Sequence, residues 1–389
     1  MKIAQINSVY GIGSTGRIVL SIENEISSQG KSICYYGRTG IDGNGGVKIA
    51  SSLSVYSHAI LSRIFGKHGL YSKGATKKLI KYLKEYNPDV IHLHNLHGYY
   101  VNYKLLFEYL KKVDKPVVWT LHDQWAITGH CAYFTEDSCT ELENGCKNCK
   151  FKGEYPSAFI DNTAKNFKLK KELISSIKNL TFVTPSEWLK GYINKFYPEK
   201  KCVVINNGIN LESFKNTHSD FIEKYNLQGK KIILGVSLQW SARKGLDYFN
   251  RLANDLGDDY KILLVGEVFG NVDSKILTIP KTNSIDELVK IYSASYLFVN
   301  PTLLENFPTV NIEALACGLP VITFNTGGSA EIIDQSCGIS VPKGDYEKFK
   351  QEILNYKDNF KKSDCVLRAQ CYTQEKMVEK YVSLYKELI

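Results

Sequence analysis

The sequence lacks any apolar run approaching the roughly 18 residues that a membrane-spanning helix requires, and it lacks an internal repeat, a low-complexity tail and a long linker. Residues 1–5 lead directly into a strand-like run without the pattern of a signal peptide. We therefore expect a cytoplasmic protein. In that compartment the ten cysteines should stay reduced, so clustered cysteines indicate metal binding or packing before disulfides.

Length and composition limit the class of protein. The 389 residues predict two domains of ordinary size, and 43% hydrophobic with 23% charged residues is typical of a soluble globular chain. The net charge of +9 suits anionic sugar nucleotides, phosphate-linked acceptors, a membrane surface or nucleic acid. Charge alone does not choose among these partners.

The stretch Asn300–Glu331 carries the clearest functional pattern. A buried strand is predicted just before it, and Pro308 with Thr309 predicts the start of a helix that Gly318 closes. A second strand follows, and the turn 327–329 (Gly-Gly-Ser) predicts entry into another helix. Such loops lie at the carboxyl ends of parallel strands, where helix starts offer backbone N–H groups to an anion.

Two carboxylates bracket the first loop, Glu305 before the helix and Glu313 within it. In isolation this E-x7-E spacing also fits a loop acid and a surface helix acid. With the following ALACGLPVI and Gly-Gly-x-x-Glu, however, it resembles the donor site of family 4 glycosyltransferases, which are retaining enzymes of the GT-B architecture. The resemblance implies sugar transfer from a nucleotide diphosphate to an acceptor hydroxyl, with no cofactor for catalysis.

The resemblance also implies the domain organisation. We expect an α/β protein with two Rossmann-like, doubly wound domains facing a central cleft. Residues 1–206 would bind the acceptor and residues 207–370 the nucleotide-sugar donor, because the alternation of strand and helix restarts after the turn 206–208 (Asn-Asn-Gly). Residues 371–389 would form a helix that returns to the first domain.

Individual roles follow from the same resemblance. Glu305 and the backbone around Asn306, Phe307, Pro308 and Thr309 would hold the sugar, and Glu313 the ribose. Lys244 would contact the pyrophosphate as a point charge. The family usually has an arginine five or six residues before this lysine. In this chain those positions hold Gln239 and Leu238, and Arg243 is the candidate substitute. A solvent-facing pair of cations is the structural alternative for 243–244.

Histidines follow two predicted strands, 89–94 and 116–121. The resemblance places His122 beside the donor sugar, with Asp123 orienting it or binding the acceptor; a structural histidine at a strand end is the alternative. A metal site formed by His92, His94 and His97 is conceivable, although a strand places only the first two on one face.

Near the start of the chain, Gly11, Gly13 and Gly16 form a glycine-rich turn before a helix. Glycines there let the backbone approach a donor phosphate closely, and the helix start favours negative charge. As a dinucleotide fingerprint the pattern is incomplete, because no clear ribose-binding acid follows the next strand. Donor binding by Gly13 and Gly16 is therefore one of two alternatives, the other being a structural turn.

Four cysteines, Cys131, Cys139, Cys146 and Cys149, lie in one polar loop and could hold a structural zinc ion. Free thiols or a redox-labile pair are the alternatives. The adjoining His-Asp-x-Trp-x-x-Thr-Gly-His-Cys resembles a branch of family 4 enzymes of bacterial capsule, O-antigen and exopolysaccharide synthesis. A zinc-stabilised nucleic-acid-binding protein is disfavoured, because the loop carries acids at 136, 137, 141 and 143 that would repel phosphate.

The Lys-rich segment Ser57–Tyr86 predicts either a solvated amphipathic helix or a surface that lies on anionic lipid. The expected partners are thus a nucleotide-diphosphate sugar, a glycan acceptor linked to polyprenyl diphosphate, and the inner face of the cell membrane as a peripheral contact, but no nucleic acid. A GT-B nucleotide-sugar epimerase is the enzymatic alternative.

Overall fold

The computed structural model describes residues 1–28, 30–41, 45–134 and 139–389 of the chain. These residues form two compact units, the first containing 1–205 and 378–389 and the second containing 206–377. The sequence predicts domain borders after residues 206 and 370, whereas the units of the structure change after residues 205 and 377.

The first unit is built on a parallel sheet that has seven strands among its described residues, in the order β3-β2-β1-β4-β5-β6-β7. Buried strands of a parallel sheet read as continuous apolar runs, as in VVWT and LTFVT. The strands are β1 (Lys2–Asn7), β2 (Lys31–Tyr36), β3 (Val47–Lys48), β4 (Val90–Leu93), β5 (Val117–Thr120), β6 (Leu180–Thr184) and β7 (Lys201–Val204).

Helices connect these strands, and several begin at a side-chain cap. Ser51, Asn102 and Ser186 each accept a hydrogen bond from a backbone N–H in the first turn of the following helix, which satisfies one of its free donors. The helices are α1 (Gly13–Ser27), α2 (Ser52–Phe65), α3 (Lys73–Tyr86), α4 (Tyr103–Leu110), α5 (Thr163–Ser175) and α6 (Glu187–Phe196), with a 3₁₀ turn at Trp125–Ile127.

The second unit repeats this architecture with a parallel sheet of order β10-β9-β8-β11-β12-β13 in its described residues. Its strands are β8 (Lys231–Trp240), β9 (Tyr260–Val268), β10 (Leu277–Ile279), β11 (Leu297–Asn300), β12 (Val321–Asn325) and β13 (Gly338–Pro342). Its helices are α7 (Phe221–Lys224), α8 (Leu246–Asp255), α9 (Ile285–Ala294), α10 (Thr309–Ala316), α11 (Tyr346–Asn355) and α12 (Lys362–Ala369), with 3₁₀ turns at Ala242–Lys244 and Gln370–Tyr372.

The last helix, α13 (Gln374–Leu388), begins in the second unit and belongs to the first from Val378 onward. Its buried Tyr381 and Tyr385 reach the sheet of the first unit. The Tyr381 hydroxyl lies 3.0 Å from Thr120 Oγ1, and the Tyr385 hydroxyl lies 2.7 Å from Nδ1 of His92. Among the described residues no helix combines the length and the apolar composition needed to cross a bilayer.

The predicted helix after the Gly327-Gly328 turn is wrong, because residues 326–337 form turns and irregular backbone. In a helix, the carbonyls of this segment would accept backbone hydrogen bonds. Here some of them accept hydrogen bonds from side chains of α12 and of the turn after it. Arg368 donates to the carbonyls of Glu331 and Ile332, and Tyr372 also donates to that of Glu331. With these carbonyls satisfied, the apolar Ile332 is buried without a helical turn.

Candidate active site

The loop between β11 and α10 is hydrogen-bonded to the Gly327-Gly328 turn. The Gly328 N–H lies 3.3 Å from the Glu305 carbonyl and 3.0 Å from that of Asn306. Gly327 has φ +55, and a Cβ there would lie 1.6 Å from the Glu305 carbonyl oxygen. Only glycine permits so close an approach, so the turn sets the position of the Glu305 loop.

Lys244 forms an ion pair with Glu305, and the two side chains are only 24% and 17% exposed. Arg243 Nη1 donates to the carbonyl of Leu304 at 3.0 Å, which anchors the neighbouring 3₁₀ turn to the same loop. Burial alone would raise the pKa of Glu305, but the charges of Lys244 and Arg243 hold it below its ordinary value. The second unit thus presents two cations and one ionised carboxylate together.

Pro308, in extended conformation, precedes the first turn of α10, as the sequence predicted. Phe307 is buried, with its ring centroid 5.5 Å from that of Tyr372, and Asn306 is buried as well. At Phe307, therefore, it is the backbone and not the side chain that can serve a ligand. Thr309 is partly exposed at the start of the helix, where backbone N–H groups lack helical partners.

Glu313 lies on α10 and is partly exposed. The hydroxyl of Tyr292, on α9, donates to Glu313 Oε2 at 3.1 Å. Burial of Tyr292, reinforced by the charge of Glu313, raises the pKa of that phenol, so the hydroxyl remains a donor. Sequence reasoning missed Tyr292, which lies within the predicted amphipathic helix 285–294 with no motif to mark it.

In the first unit, histidines lie at the carboxyl ends of the neighbouring strands β4 and β5. The His92 and His94 ring centroids are 3.9 Å apart, on one face as predicted. His92 Nε2 lies 2.8 Å from Thr120 Oγ1, while His94 Nδ1 lies 3.2 Å from His122 Nε2. One of these contacts joins a histidine to a hydroxyl and the other joins two histidines. In the described residues no three His, Cys, Asp or Glu side chains are placed to hold one metal ion.

His122 is partly buried, and its pKa is lowered to about 4. Burial is the main cause, and the charge of Asp123 opposes it only in part. The imidazole is therefore neutral near pH 7 and acts as a hydrogen-bonding group rather than as a cation.

Asp123 pairs with His97, not with His122. His97 Nε2 lies 2.5 Å from Asp123 Oδ2, and its Nδ1 lies 3.1 Å from the Tyr155 hydroxyl. Burial would raise the pKa of Asp123, but His97 and the Trp125 backbone N–H hold it below its usual value. Sequence reasoning considered His97 only as a metal ligand and missed Tyr155, which no motif marks.

The glycine-rich turn before α1 is explained partly by packing. The Gly11 N–H donates to the Gly16 carbonyl at 3.1 Å, and a Cβ on Gly11 would meet Ile41 at 2.6 Å. Gly13, in contrast, has φ +64 and open space where a Cβ would lie. Close ligand approach therefore remains a prediction for Gly13 and Gly16. Packing gives a separate reason for glycine at Gly11 and also at Gly16, where a Cβ would lie 3.1 Å from the Gly11 nitrogen.

Three of the four cysteines, Cys139, Cys146 and Cys149, line one small cavity of about 30 Å³ together with His130. The Gly129 N–H donates to Cys146 Sγ at 3.3 Å. Burial, assisted by the charges of the other three thiols, raises the pKa of Cys131 to about 12. The donor chemistry fits zinc, but the sulfurs are not placed as a closed metal site. Residues 136 and 137, two acids of this loop, lie outside the described residues.

Two family models match the chain. The glycosyltransferase family 4 model matches residues 42–213, and the glycosyl transferases group 1 model matches residues 230–359. A putative colanic acid biosynthesis glycosyl transferase of Escherichia coli (strain K12) is 24% identical to this chain, and the match covers 100% of both proteins.

Another relative is the N,N'-diacetylbacillosaminyl-diphospho-undecaprenol alpha-1,3-N-acetylgalactosaminyltransferase of Campylobacter jejuni. It is 23% identical, and the match covers 60% of this chain and 68% of the relative. Among solved structures, Anabaena HepE in complex with UDP-glucose superposes with a TM-score of 0.69 at 13% identity, over 100% of both chains. At that identity the superposition establishes the fold alone.

These matches agree with the two doubly wound parallel sheets and with the E-x7-E loop in the second unit. The chain belongs to the family 4 glycosyltransferases of the GT-B fold, and it resembles their capsule and O-antigen biosynthesis branch.

Proposed function

We propose that this glycosyltransferase moves a sugar, with retention of anomeric configuration, from a nucleoside diphosphate to a glycan acceptor carried on polyprenyl diphosphate. The product would enter a bacterial surface polysaccharide. The observation that carries the proposal is the Lys244–Glu305 ion pair, which the Gly327-Gly328 turn holds at the start of α10. The HepE complex with UDP-glucose and the undecaprenol-linked substrate of the Campylobacter relative support the donor and acceptor classes.

Departure of the nucleoside diphosphate builds negative charge on the β-phosphate. Lys244, Arg243 and the backbone N–H groups at the start of α10 are fixed before the reaction. They therefore stabilise this charge more in the transition state than in the ground state. The ion pair with Glu305 orients the Lys244 ammonium until phosphate competes for it. In this proposal no divalent cation takes part in catalysis.

The sugar and the ribose would be held by different carboxylates. Glu305, with the backbone of residues 306–309, accepts hydrogen bonds from sugar hydroxyls. Glu313 accepts from the ribose hydroxyls, and the Tyr292 hydroxyl fixes its orientation. Because both carboxylates are partly buried, each lost hydrogen bond should weaken donor binding measurably.

Three residues of the first unit complete the assignment. Neutral His122 hydrogen-bonds the donor sugar, and Asp123, held ionised by His97, binds an acceptor hydroxyl. Gly13 gives the donor phosphates room to approach the backbone. The enzyme would act as a peripheral protein at the inner face of the membrane, where its acceptor lies.

We also propose that zinc closes the loop of Cys131, Cys139, Cys146 and Cys149. Four thiolates are the donor set of a structural tetrahedral zinc site. The proposal is supported by the cavity that Cys139, Cys146 and Cys149 line and by the electrostatic influence of these three thiols on Cys131. Zinc binding would draw the sulfurs together and release their protons, which burial otherwise retains.

The test of the donor site is a thermal-shift screen against UDP, GDP, ADP, CMP and their common sugar derivatives. A ligand present at about 100 times its Kd adds about 2.7 kcal/mol of stability. We expect one nucleoside diphosphate and its sugar derivatives to raise the melting temperature. Glu313→Ala should abolish the shift, whereas Glu352→Ala, a partly buried helix acid of the same unit, should not. No shift with any nucleotide in a folded sample would refute the proposal.

A further inference from the structure

An amphipathic helix usually packs its apolar face on the core, but helix α2 has polar residues on its buried face and apolar residues on its exposed face. Its buried residues are His58 and Ser62, whereas Leu53 and Tyr56 are 75% and 68% exposed. Ile60 and Ile64 are also exposed and continue the same stripe at spacings of three and four residues. Folding of the first unit therefore leaves the apolar side of α2 in solvent.

The buried side of α2 explains why this orientation is fixed. His58 Nδ1 lies 2.8 Å from Ser72 Oγ, and the His58 ring packs edge-on against Tyr71 and Tyr99, with centroids 5.4 and 5.8 Å away. The imidazole thus sits among aromatic rings with a hydroxyl partner. Rotating α2 to bury its isoleucines would break these contacts, so the exposed stripe is part of the native fold.

A neighbouring segment enlarges the apolar surface. The Phe159 N–H donates to the Arg63 carbonyl at 2.7 Å, and the Arg63 guanidinium lies 5.4 Å from the centroid of the Phe159 ring. Phe159 and Ile160 are 65% and 51% exposed. We name as the α2 face the exposed apolar side chains of both segments: Leu53, Tyr56, Ile60, Ile64, Phe65, Phe159 and Ile160. A contiguous surface of this kind marks an interaction site.

The charges around the α2 face indicate what covers it. Beside the helix lies an open groove of about 730 Å³, which Leu53 and Tyr56 line together with the exposed cations Arg38 and Lys48. From Val47 to Lys84 the sequence contains eight Lys or Arg residues and no Asp or Glu. Such a region attracts a surface that is both apolar and anionic.

An anionic bilayer has these two properties. A helix of 14 residues is about 21 Å long, too short to span a bilayer. It can lie in the interface with Leu, Ile and Phe among the acyl chains and with Tyr, Arg and Lys at the level of the headgroups. Each cation near an anionic leaflet should raise the affinity for it about fivefold.

We propose that the α2 face binds the surface of an anionic membrane, with Arg38 and Lys48 contacting lipid phosphates. This gives the enzyme a defined membrane-facing side on its first unit. The use of that side, to reach an acceptor embedded in the same leaflet, rests on the proposed function. Binding to the lipid surface itself does not.

The experiment is co-sedimentation of the full chain with phosphatidylcholine vesicles, with and without phosphatidylglycerol. We expect binding to the anionic vesicles that weakens with salt, because exposed charges are screened. The double substitution Ile60→Ser and Ile64→Ser should lower the partition coefficient by roughly tenfold for each side chain removed from the acyl region. Lys48→Ser should lower it only for anionic vesicles.

The matched control is Leu354→Ser with Leu367→Ser, two exposed leucines of the second unit, which should sediment like the wild type. Equal binding by the isoleucine variant and the wild type, or no binding to anionic vesicles at all, would overturn the inference. So would a wild-type dimer in lipid-free sedimentation velocity that the isoleucine substitutions dissociate, since the α2 face would then be a subunit interface.

Failure of this inference and failure of the proposed function are distinguishable. Nucleotide-dependent thermal stabilisation reports the proposed donor site, which contains no residue of the α2 face, and should be the same in the isoleucine variant and the wild type. Membrane binding without any nucleotide response would refute the transferase assignment and leave the α2 face in place. The converse result would refute only the membrane surface.

Discussion

Replacing Lys244 by alanine should separate catalysis from stability. The ammonium is partly buried against Glu305, and its removal leaves that carboxylate with the charge of Arg243 and with its neighbouring backbone. Breaking a fully buried ion pair costs roughly 3–5 kcal/mol. Because both side chains here keep some exposure and a second cation remains, we expect a loss of about 1–2 kcal/mol.

The loss of turnover should be larger. If Lys244 stabilises the charge that develops on the leaving phosphate, its removal should lower kcat roughly 100- to 1000-fold, the range seen when one preorganised group of this kind is deleted. The assay follows nucleoside diphosphate release from the sugar nucleotide found in the thermal-shift screen, with membrane extract supplying the acceptor. Urea unfolding of the same samples measures the stability.

The control is Lys350→Ala. Lys350 is 22% exposed, close to the 24% of Lys244, and pairs with Asp255 at 3.1 Å in the same unit but outside the site. Its loss should cost similar or less stability and leave turnover unchanged. A folded Lys244→Ala protein with wild-type turnover would refute the phosphate role. A parallel loss of turnover in Lys350→Ala would show that stability, and not phosphate binding, limits the rate.

Three further predictions concern other parts of the chain. Gly327→Ala should abolish nucleotide stabilisation in the thermal-shift assay, because its Cβ would overlap the backbone of the Glu305 loop; Gly257→Ala has open space and should bind normally. Burial lowers the pKa of Lys170 to about 7, so the unfolded chain binds more protons above that pH. The free energy of unfolding should therefore rise by up to about 1.4 kcal/mol per pH unit from pH 7 to 9; Lys170→Met should remove this rise and exposed Lys171→Met should keep it. Metal analysis should find about one zinc per chain, lost together with several degrees of melting temperature on chelation or in Cys146→Ser; a metal-free protein with unchanged melting would exclude the zinc site.

Much of the fold could be predicted because strands buried on both faces have short continuous apolar runs. The apolar patterns predict strands at 2–7 and 180–184 and an amphipathic helix at 285–294, and β1, β6 and α9 have these limits. The loop of Glu305 and the start of α10 could also be predicted, since proline and the flanking strands mark them. Local signals sufficed there because local and tertiary preferences agree.

The His97–Asp123 pair could not be read from local pattern. It exists because β4 and β5 are neighbours in the sheet, which brings the ends of two strands together across 26 residues of sequence. Tyr155 completes the group from an irregular segment that has no periodicity to place it. Side chains that meet through sheet order or irregular backbone carry no signal in a single sequence.

Two departures from local pattern share one cause. A helix after the Gly327-Gly328 turn is replaced by irregular backbone because Arg368 satisfies its carbonyls, and α2 turns its apolar side outward because His58 finds its partner in Ser72. In both cases a polar group distant in sequence outweighs the local hydrophobic preference. The consequences differ, since the first irregular segment contacts the Glu305 loop while the second departure leaves an apolar surface exposed. An exposed surface costs solvation free energy in the isolated protein, so its presence in a fixed native orientation is best explained by a partner that covers it.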